Sequence, residues 1–396
     1  VETSVLGMKP PVILLGGLAN TTSVARSLGR AGIRLFVVAP ESSPVLRSRY
    51  IHQRLPIAKG QESVDYYHHL LVESQQLPQG AVVFPCSDCA IDFVARFKAS
   101  LQQRYVFDIQ DPQHQLDLLD KQKTIDLARQ AGCQAPGYWP VASLEDVQRL
   151  LGQLRYPVLI KPIHSHVFQS RFNKKLFLIE NEEQLLEQAQ RVLGASIEFM
   201  LCEFVPGPDT LLSSYYVYRD QQGRVLFEFT KRVIRRAPPN FGAGAYHITE
   251  WLPQTAEAGR QFFQAMAFTG LGNIEFKTDP RDGQLKVIEC NARFTGAQEL
   301  VTRSGVDMPN LIYNFLVFGT HPEQQSFRDN MTLWIPLDDF DSFRELHALG
   351  KLTLWSWIRS VLRPHVFCYL SVRDPKPFLF DVWAQLTKRI RGKLKA

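Results

Sequence analysis

Two carboxylates and an amide lie close enough in the sequence to share one face of a β-hairpin. Glu275 sits in Gly-Asn-Ile-Glu-Phe (272–276). Glu289 and Asn291 sit in Val-Ile-Glu-Cys-Asn-Ala-Arg-Phe (287–294), with an Asp282-Gly283 turn between the two runs. Residues two apart on a strand point the same way, so Glu289 and Asn291 share a side, and Glu275 can lie opposite them. Two carboxylates and an amide oxygen make an oxygen-rich site for a hard cation, which suits Mg²⁺, with Mn²⁺ the alternative. Without a cation, two buried carboxylates this close would force a proton onto one of them. Arg293, two residues further on, can reach the same place and stabilise developing negative charge. The competing reading is a solvent-exposed hairpin face with ordinary charges. The run Asn-Ala-Arg-Phe-Thr-Gly immediately after the strand favours a built site.

Further candidates lie upstream. Lys161 ends the apolar run Tyr-Pro-Val-Leu-Ile-Lys, and Lys121 follows Asp120 in a helical stretch. A lysine on an apolar strand needs an anion, either a phosphate or a neighbouring glutamate. Glu203, Phe204 and Val205 end another strand, where backbone groups can meet a flat base, and Asp209 beyond them can take ribose hydroxyls. Gly16-Gly17 precedes a helix and is either an anion cradle or a tight strand-to-helix turn. Cys86 and Cys89 have C-x-x-C spacing with no second Cys or His pair nearby, which argues against zinc.

These residues need a scaffold of alternating elements. Val12–Leu15, Leu35–Ala39 and Ala81–Phe84 read as buried strands separated by helices, the grammar of a parallel α/β sheet. One helix is expected from Pro112 to Gln130. After Gly137 the pattern changes to consecutive strands with short turns, hence an antiparallel sheet. Arg232–Gly244 reads as a Pro/Gly-rich loop. Helices are expected at Ala256–Thr269, Ala297–Arg303 and Asp307–Phe318. No internal repeat or low-complexity segment interrupts this order.

The chain has 396 residues, 45% hydrophobic and 21% charged, which excludes a disordered or fibrous chain and suits two to three domains. No apolar run is long enough to span a bilayer. Six cysteines are too sparse for a disulfide scaffold and point to a reducing, cytoplasmic compartment. Val1–Pro10 lacks the form of a secretory signal, and Met8 is a candidate natural start. Formal charge is +6, but residues 351–396 hold ten basic residues against two acids, leaving −2 for the rest. That asymmetry argues for a basic appendage and against a nucleic-acid-binding face.

Five motifs in order resemble the ATP-grasp superfamily: Asp120-Lys121, Tyr156–Pro162, Cys202–Asp209, Ile274–Phe276 and Ile288–Arg293. The resemblance spans about 116–318. It implies an α/β (α+β) architecture: a Rossmann-like preceding domain (1–112), a two-lobed ATP-grasp domain (113–320) with a nucleotide-clamping subdomain at about 138–207, and a C-terminal extension (321–396). It implies that Lys121 and Lys161 hold ATP phosphates, that Glu203, Phe204 and Val205 meet adenine, and that Asp209 meets ribose. Glu275, Glu289 and Asn291 would hold Mg²⁺, and Arg293 would steady the transferred phosphoryl group.

The segment after Lys161, His164-Ser165-His166-Val167-Phe168-Gln169-Ser170-Arg171, departs from the superfamily in having no glycine, and position 202 is Cys where relatives often carry an acid. Lys-Pro-x-x-Ser-His, Arg235–Gly244, Trp334 and Arg373–Asp381 resemble the D-aspartate-ligase-like carboxylate–amine ligases. By that resemblance Arg235 and Arg236 are expected to meet an anionic substrate, with a solvated basic loop as the bland alternative. The implied activity is ATP-dependent amide formation from small-molecule carboxylate and amine substrates through an acyl phosphate. No residue stands out as general base; His164 and His166 are candidates. The competing classes are a non-catalytic nucleotide-binding regulator or scaffold, and an ATP-grasp enzyme using bicarbonate or a formyl donor. Oligomeric state stays open, a homodimer included.

In the tail, Leu379, Val382, Trp383, Leu386 and Ile390 fall on one helical stripe beside a basic end. Two readings stand: peripheral association with the anionic inner membrane face, or a helix packed on the body with a frayed basic end.

Overall fold

A computed structural model describes residues 9–163, 168, 171–322 and 326–393. The candidate start at Met8, the candidate bases His164 and His166, and most of the glycine-free segment lie outside the described residues.

Four strands open the chain: β1 (Val12–Leu15), β2 (Leu35–Pro40), β3 (Gln53–Ile57) and β4 (Val82–Pro85). They form a parallel sheet in the order β3-β2-β1-β4. Every side chain of β1 is buried because both faces of the sheet are covered, so its sequence is continuously apolar instead of alternating. Ile13 and Leu15 pack with Tyr67, Phe93 and Val94 on one side. Val12 and Leu14 face the helix Ala19–Arg30 and join a core that reaches Tyr216, Tyr218, Phe227 and Phe229 of the large sheet. The expected helix from Pro112 to Gln130 is two helices, Pro112–Leu119 and Lys121–Gln130. The break falls at Asp120, whose extended backbone and side chain cap the second helix through the N–H groups of Gln122 and Lys123.

Next come β5 (Tyr138–Val141), β6 (Val158–Pro162), β7 (Phe177–Ile179) and β8 (Phe199–Glu203), an antiparallel sheet in the order β5-β8-β6-β7. The remaining strands are β9 (Leu212–Arg219), β10 (Val225–Ala237), β11 (Ala243–Thr249), β12 (Gly270–Thr278), β13 (Leu285–Asn291), β14 (Thr332–Trp334) and β15 (His365–Val366). They build a seven-stranded sheet in the order β13-β12-β9-β10-β11-β14-β15. Its back face carries Tyr215, Val217, Ile274 and Phe276 against Phe262 and Phe263 of the helix Pro253–Ala265. The expected loop at 232–244 is mostly strand: β10 runs through Ala237 and β11 resumes at Ala243, leaving only Pro238–Gly242 as the turn.

The C-terminal extension is clasped to the body by two buried ion pairs. Arg26 donates to Asp374 at 3.0 Å, both side chains 1% exposed, and Asp374 also accepts from Ser48 and the Arg49 N–H. Arg235 donates to both Asp339 oxygens, at 2.6 and 3.0 Å, and the indoles of Trp334 and Trp357 donate to the same carboxylate. Removing one partner strands a buried charge. Asp374→Ala is therefore expected to cost about 3–5 kcal/mol of folding stability, read by denaturant unfolding.

Candidate active site

The hairpin register fixes the heart of the site. Glu275 pairs directly with Glu289, and Asn273 with Asn291, across β12 and β13. Directly paired residues of an antiparallel ladder point to one side, so all four share the front face of the large sheet. A register shift just past Glu275 leaves an extra residue, Ile288, on β13. Burial, followed by the nearby Glu289, raises the Glu275 carboxyl above its usual range, while Lys231 pulls the other way. Asn273 is buried with Oδ1 unpartnered, its Nδ2 donating to the Tyr215 carbonyl. Sequence reasoning missed Asn273, although its spacing of two from Glu275 was there to read.

The two lysines arrive from different elements at this edge. Lys121, first residue of its helix because Asp120 caps it, donates to the Pro162 carbonyl at 3.2 Å. Lys161, on β6, reaches the Ile288 carbonyl at 3.5 Å. Burial and the Lys161 charge depress the Lys121 ammonium, and Glu289 offsets part of this. Arg293 donates to Asp88 at 2.5 and 3.3 Å, and the fields of Asp88 and Glu289 hold its charge against burial. Asp88 is a second site residue that sequence reasoning did not assign. It opens the helix Asp88–Arg96 just after β4, so the N-terminal sheet delivers it.

The strand end at β8 is more occupied than expected. The Glu203 carboxylate accepts from Gly137 N–H and pairs with Arg281. The Val205 and Gly207 carbonyls accept from Lys277, whose ammonium burial depresses to about 8. Phe204 lies tilted against Phe241, 5.9 Å between centroids. Asp209 is buried and its oxygens accept from the Arg236 side chain, the Arg236 N–H and the Asn240 N–H. It is therefore a tie between β10 and this segment, not an open acceptor awaiting ribose.

Arg235 requires a correction. It is not a loop residue facing an anionic substrate but a strand residue. The register shift in β10 around it turns it into the buried Asp339 pair. Gly16 and Gly17 both have positive φ. A Cβ at Gly17 would come within 1.7 Å of Thr21 Oγ1, so sterics alone require glycine in this turn. Among the described residues no group of three or more His, Cys, Asp or Glu is arranged to hold a metal. The residues here that could hold a cation are thus two carboxylates plus amide oxygens, and any further oxygens would come from a ligand. Glu275 and Glu289 could hold Mg²⁺ on this ground: they share one face, burial chiefly and Glu289 next raise the Glu275 carboxyl, and a divalent ion would relieve it.

Asp108 lines a small cavity with Gln115, Leu271 and Arg293. It accepts from the Tyr218 hydroxyl at 2.5 Å. Burial pushes its carboxyl up to about 7, with Tyr218 and the Leu271 N–H opposing. The folded state therefore binds this proton where the unfolded chain releases it. The contribution is full below about pH 4 and is lost as pH rises towards 7. Asp108→Asn is expected to flatten this part of the stability–pH curve, which chemical unfolding at pH 4.5 and 7.5 would measure.

Three sheets in this order match solved folds. The N5-carboxyaminoimidazole synthetase from Staphylococcus aureus, solved with ADP, superposes with a TM-score of 0.62 at 18% identity, covering 81% of each chain. The chain has the ATP-grasp fold. The L-amino acid ligase from Bacillus licheniformis shares this ATP-grasp architecture with a TM-score of 0.58, 16% identity, and coverage of 78% and 75%. In sequence, the D-aspartate ligase of Enterococcus faecium is 22% identical over 364 residues, 86% of each chain. No family model matches the chain.

Proposed function

We propose that this ATP-grasp chain is an ADP-forming carboxylate–amine ligase. The observation that carries the reading is the convergence of Glu275, Glu289, Lys121, Lys161 and Arg293 on one edge of the large sheet. The likeness to a D-aspartate ligase over 86% of the chain supports ligation over a scaffold role. A carboxylate oxygen of the acid attacks the γ-phosphorus, the bond to ADP breaks, and ADP leaves with the electron pair. The amine nitrogen then attacks the acyl carbon, and phosphate departs with the C–O pair while the amine loses a proton. Lys121 and Lys161 would bind phosphate oxygens, and Arg293 would face the charge on the transferring group. Glu275, Glu289 and Asn291 would hold Mg²⁺, which supplies charge neutralisation at the phosphates when bound. The test is an ADP-release screen over pools of carboxylates and amines with Mg²⁺. Release that requires both partners supports the ligase; nucleotide binding without release under any pair supports the scaffold.

The tail belongs to the same proposal as an anchor on anionic lipid. Leu379 (61% exposed), Trp383 (64%), Leu386 (48%) and Ile390 (59%) leave the helix Lys376–Lys393 with an apolar stripe open to solvent. Trp355, at 79%, is open as well. The helix also packs on the body, where the Arg47 guanidinium lies 4.8 Å from the Phe380 ring centroid, and this contact leaves the stripe open. Among the described residues no helix is long and apolar enough to cross a membrane, so association would be peripheral. Each basic residue near an anionic surface adds about 1 kcal/mol. Co-sedimentation with phosphatidylglycerol vesicles is expected at low salt, with release at high salt and loss in Trp383→Ser. Equal binding to neutral vesicles would count against it.

A further inference from the structure

Across the front face of the large sheet, Glu289, Glu275, Ser214, Lys231 and Thr249 stand in register on five adjacent strands. The first two belong to the candidate cation site; Lys231 has no role in it. Lys231 is 2% exposed, yet among the described residues it forms no ion pair. Its ammonium donates to Ser214 Oγ at 2.9 Å and lies 5.8 Å from the Tyr216 ring centroid. A buried ammonium with only a hydroxyl partner is costly unless an anion comes to it. The acid whose field reaches it is Glu275. A divalent ion held by Glu275 would claim that charge and leave Lys231 uncompensated.

His247 lies beside it. It pairs with Val233, two residues along β10 from Lys231, so both side chains start from the same face. It is 7% exposed, and its Nδ1 is buried without a partner. Its ring is set over Gly244, where a Cβ would come within 2.1 Å of Cε1, so a side chain at 244 would displace it. Burial and the Lys231 charge both keep this imidazole neutral. A neutral imidazole can offer one N–H, and a hydrogen bond to the Gly244 backbone takes it. A buried ammonium whose acceptor is one hydroxyl, beside an imidazole nitrogen without a partner and on the face that carries the acids, is a cation lacking its anion.

We propose that the Lys231 ammonium, with the His247 ring as its wall, forms an oxyanion subsite, filled by the carboxylate of the acid substrate or by the terminal phosphate of the nucleotide. This builds on the ligase reading but can be tested apart from it. Calorimetry of the full chain with Mg·ADP and with Mg·AMP-PNP separates the two sources, because only the analogue has the terminal group. In Lys231→Met, Mg·ADP affinity is expected to stay near wild type. If the phosphate is the ligand, analogue affinity falls by about 30-fold or more, the scale of truncating a buried charge contact. If the carboxylate is the ligand, analogue affinity holds, and the KM for the acid found in the ADP-release screen rises by a similar factor, more than kcat falls. Lys231→Arg is expected to restore most of either loss.

Unchanged analogue affinity together with unchanged KM overturns the subsite. So does loss of Mg·ADP binding in step with the rest, which would make Lys231 purely structural. If the screen finds no acid, the ligase reading fails, and ¹⁵N-histidine spectra of the Mg·ADP-loaded chain still decide. A saturable shift of the His247 signals with sodium acetate or orthophosphate, absent in Lys231→Met, supports the subsite. No shift with either anion, alongside unchanged analogue affinity, refutes it.

Discussion

Arg293→Ala is expected to lower turnover by about 10²–10³-fold while leaving Mg·ADP affinity close to wild type, because a donor aimed at transition-state charge is worth about 3–4 kcal/mol. The geometry gives the reason. The guanidinium is anchored at one end by Asp88 from the N-terminal sheet and lies in the field of Glu289 on β13. It is therefore held between the end of β13 and the helix that follows β4. Asp88→Asn should give a smaller loss of turnover in the same direction, since it weakens the anchor and leaves the donor. Steady-state ADP release, with calorimetry on the same preparations, separates the two effects. A variant Arg293→Ala with near-normal turnover would remove the role assigned to this arginine.

Glu275→Gln should show opposite effects on stability and on binding. Without a cation, burial and Glu289 already raise the Glu275 carboxyl, so its charge burdens the folded state. Replacing it with a neutral isostere is expected to leave thermal stability without metal unchanged or higher. Mg²⁺-dependent nucleotide affinity should fall by at least about tenfold, since loss of even an outer-shell partner of a metal typically costs 10–100-fold. Glu289→Gln should lose Mg²⁺-dependent binding too, but it also removes the carboxylate that offsets the burial of Lys121. Its stability without metal is therefore not expected to gain. Thermal melts with and without Mg·ADP would show both signs at once.

The acids were legible because β-strand alternation is a local rule: a spacing of two between Glu289 and Asn291, and one turn back to Glu275, fix a shared face. The parallel opening was legible from uninterrupted apolar runs such as Val12–Leu15. What the sequence hid was set by distant partners. Arg235 looks like a substrate contact until β10 is seen to continue through it and Asp339, more than a hundred residues away, is seen to claim it. Asp209 reads as an open carboxylate, and Arg236 closes it. Asp88 and Arg293 are 205 residues apart and meet only because the N-terminal sheet docks on the large one. Lys231 sits among Phe229, Thr230 and Arg232 with no local pattern marking it. Its burial becomes visible only once β9 and β11 flank it.

The central claim is that one divalent ion and one nucleotide meet at the Glu275–Glu289 pair. The most direct test is a crystal structure of the full chain grown with Mn²⁺ and ADP, using the anomalous signal of manganese. The account predicts a peak within coordination distance of both carboxylates and of a phosphate oxygen, with the ammonium groups of Lys121 and Lys161 turned to the same phosphates. A manganese peak bound elsewhere, with ADP ordered and Glu275 and Glu289 bare, would contradict it.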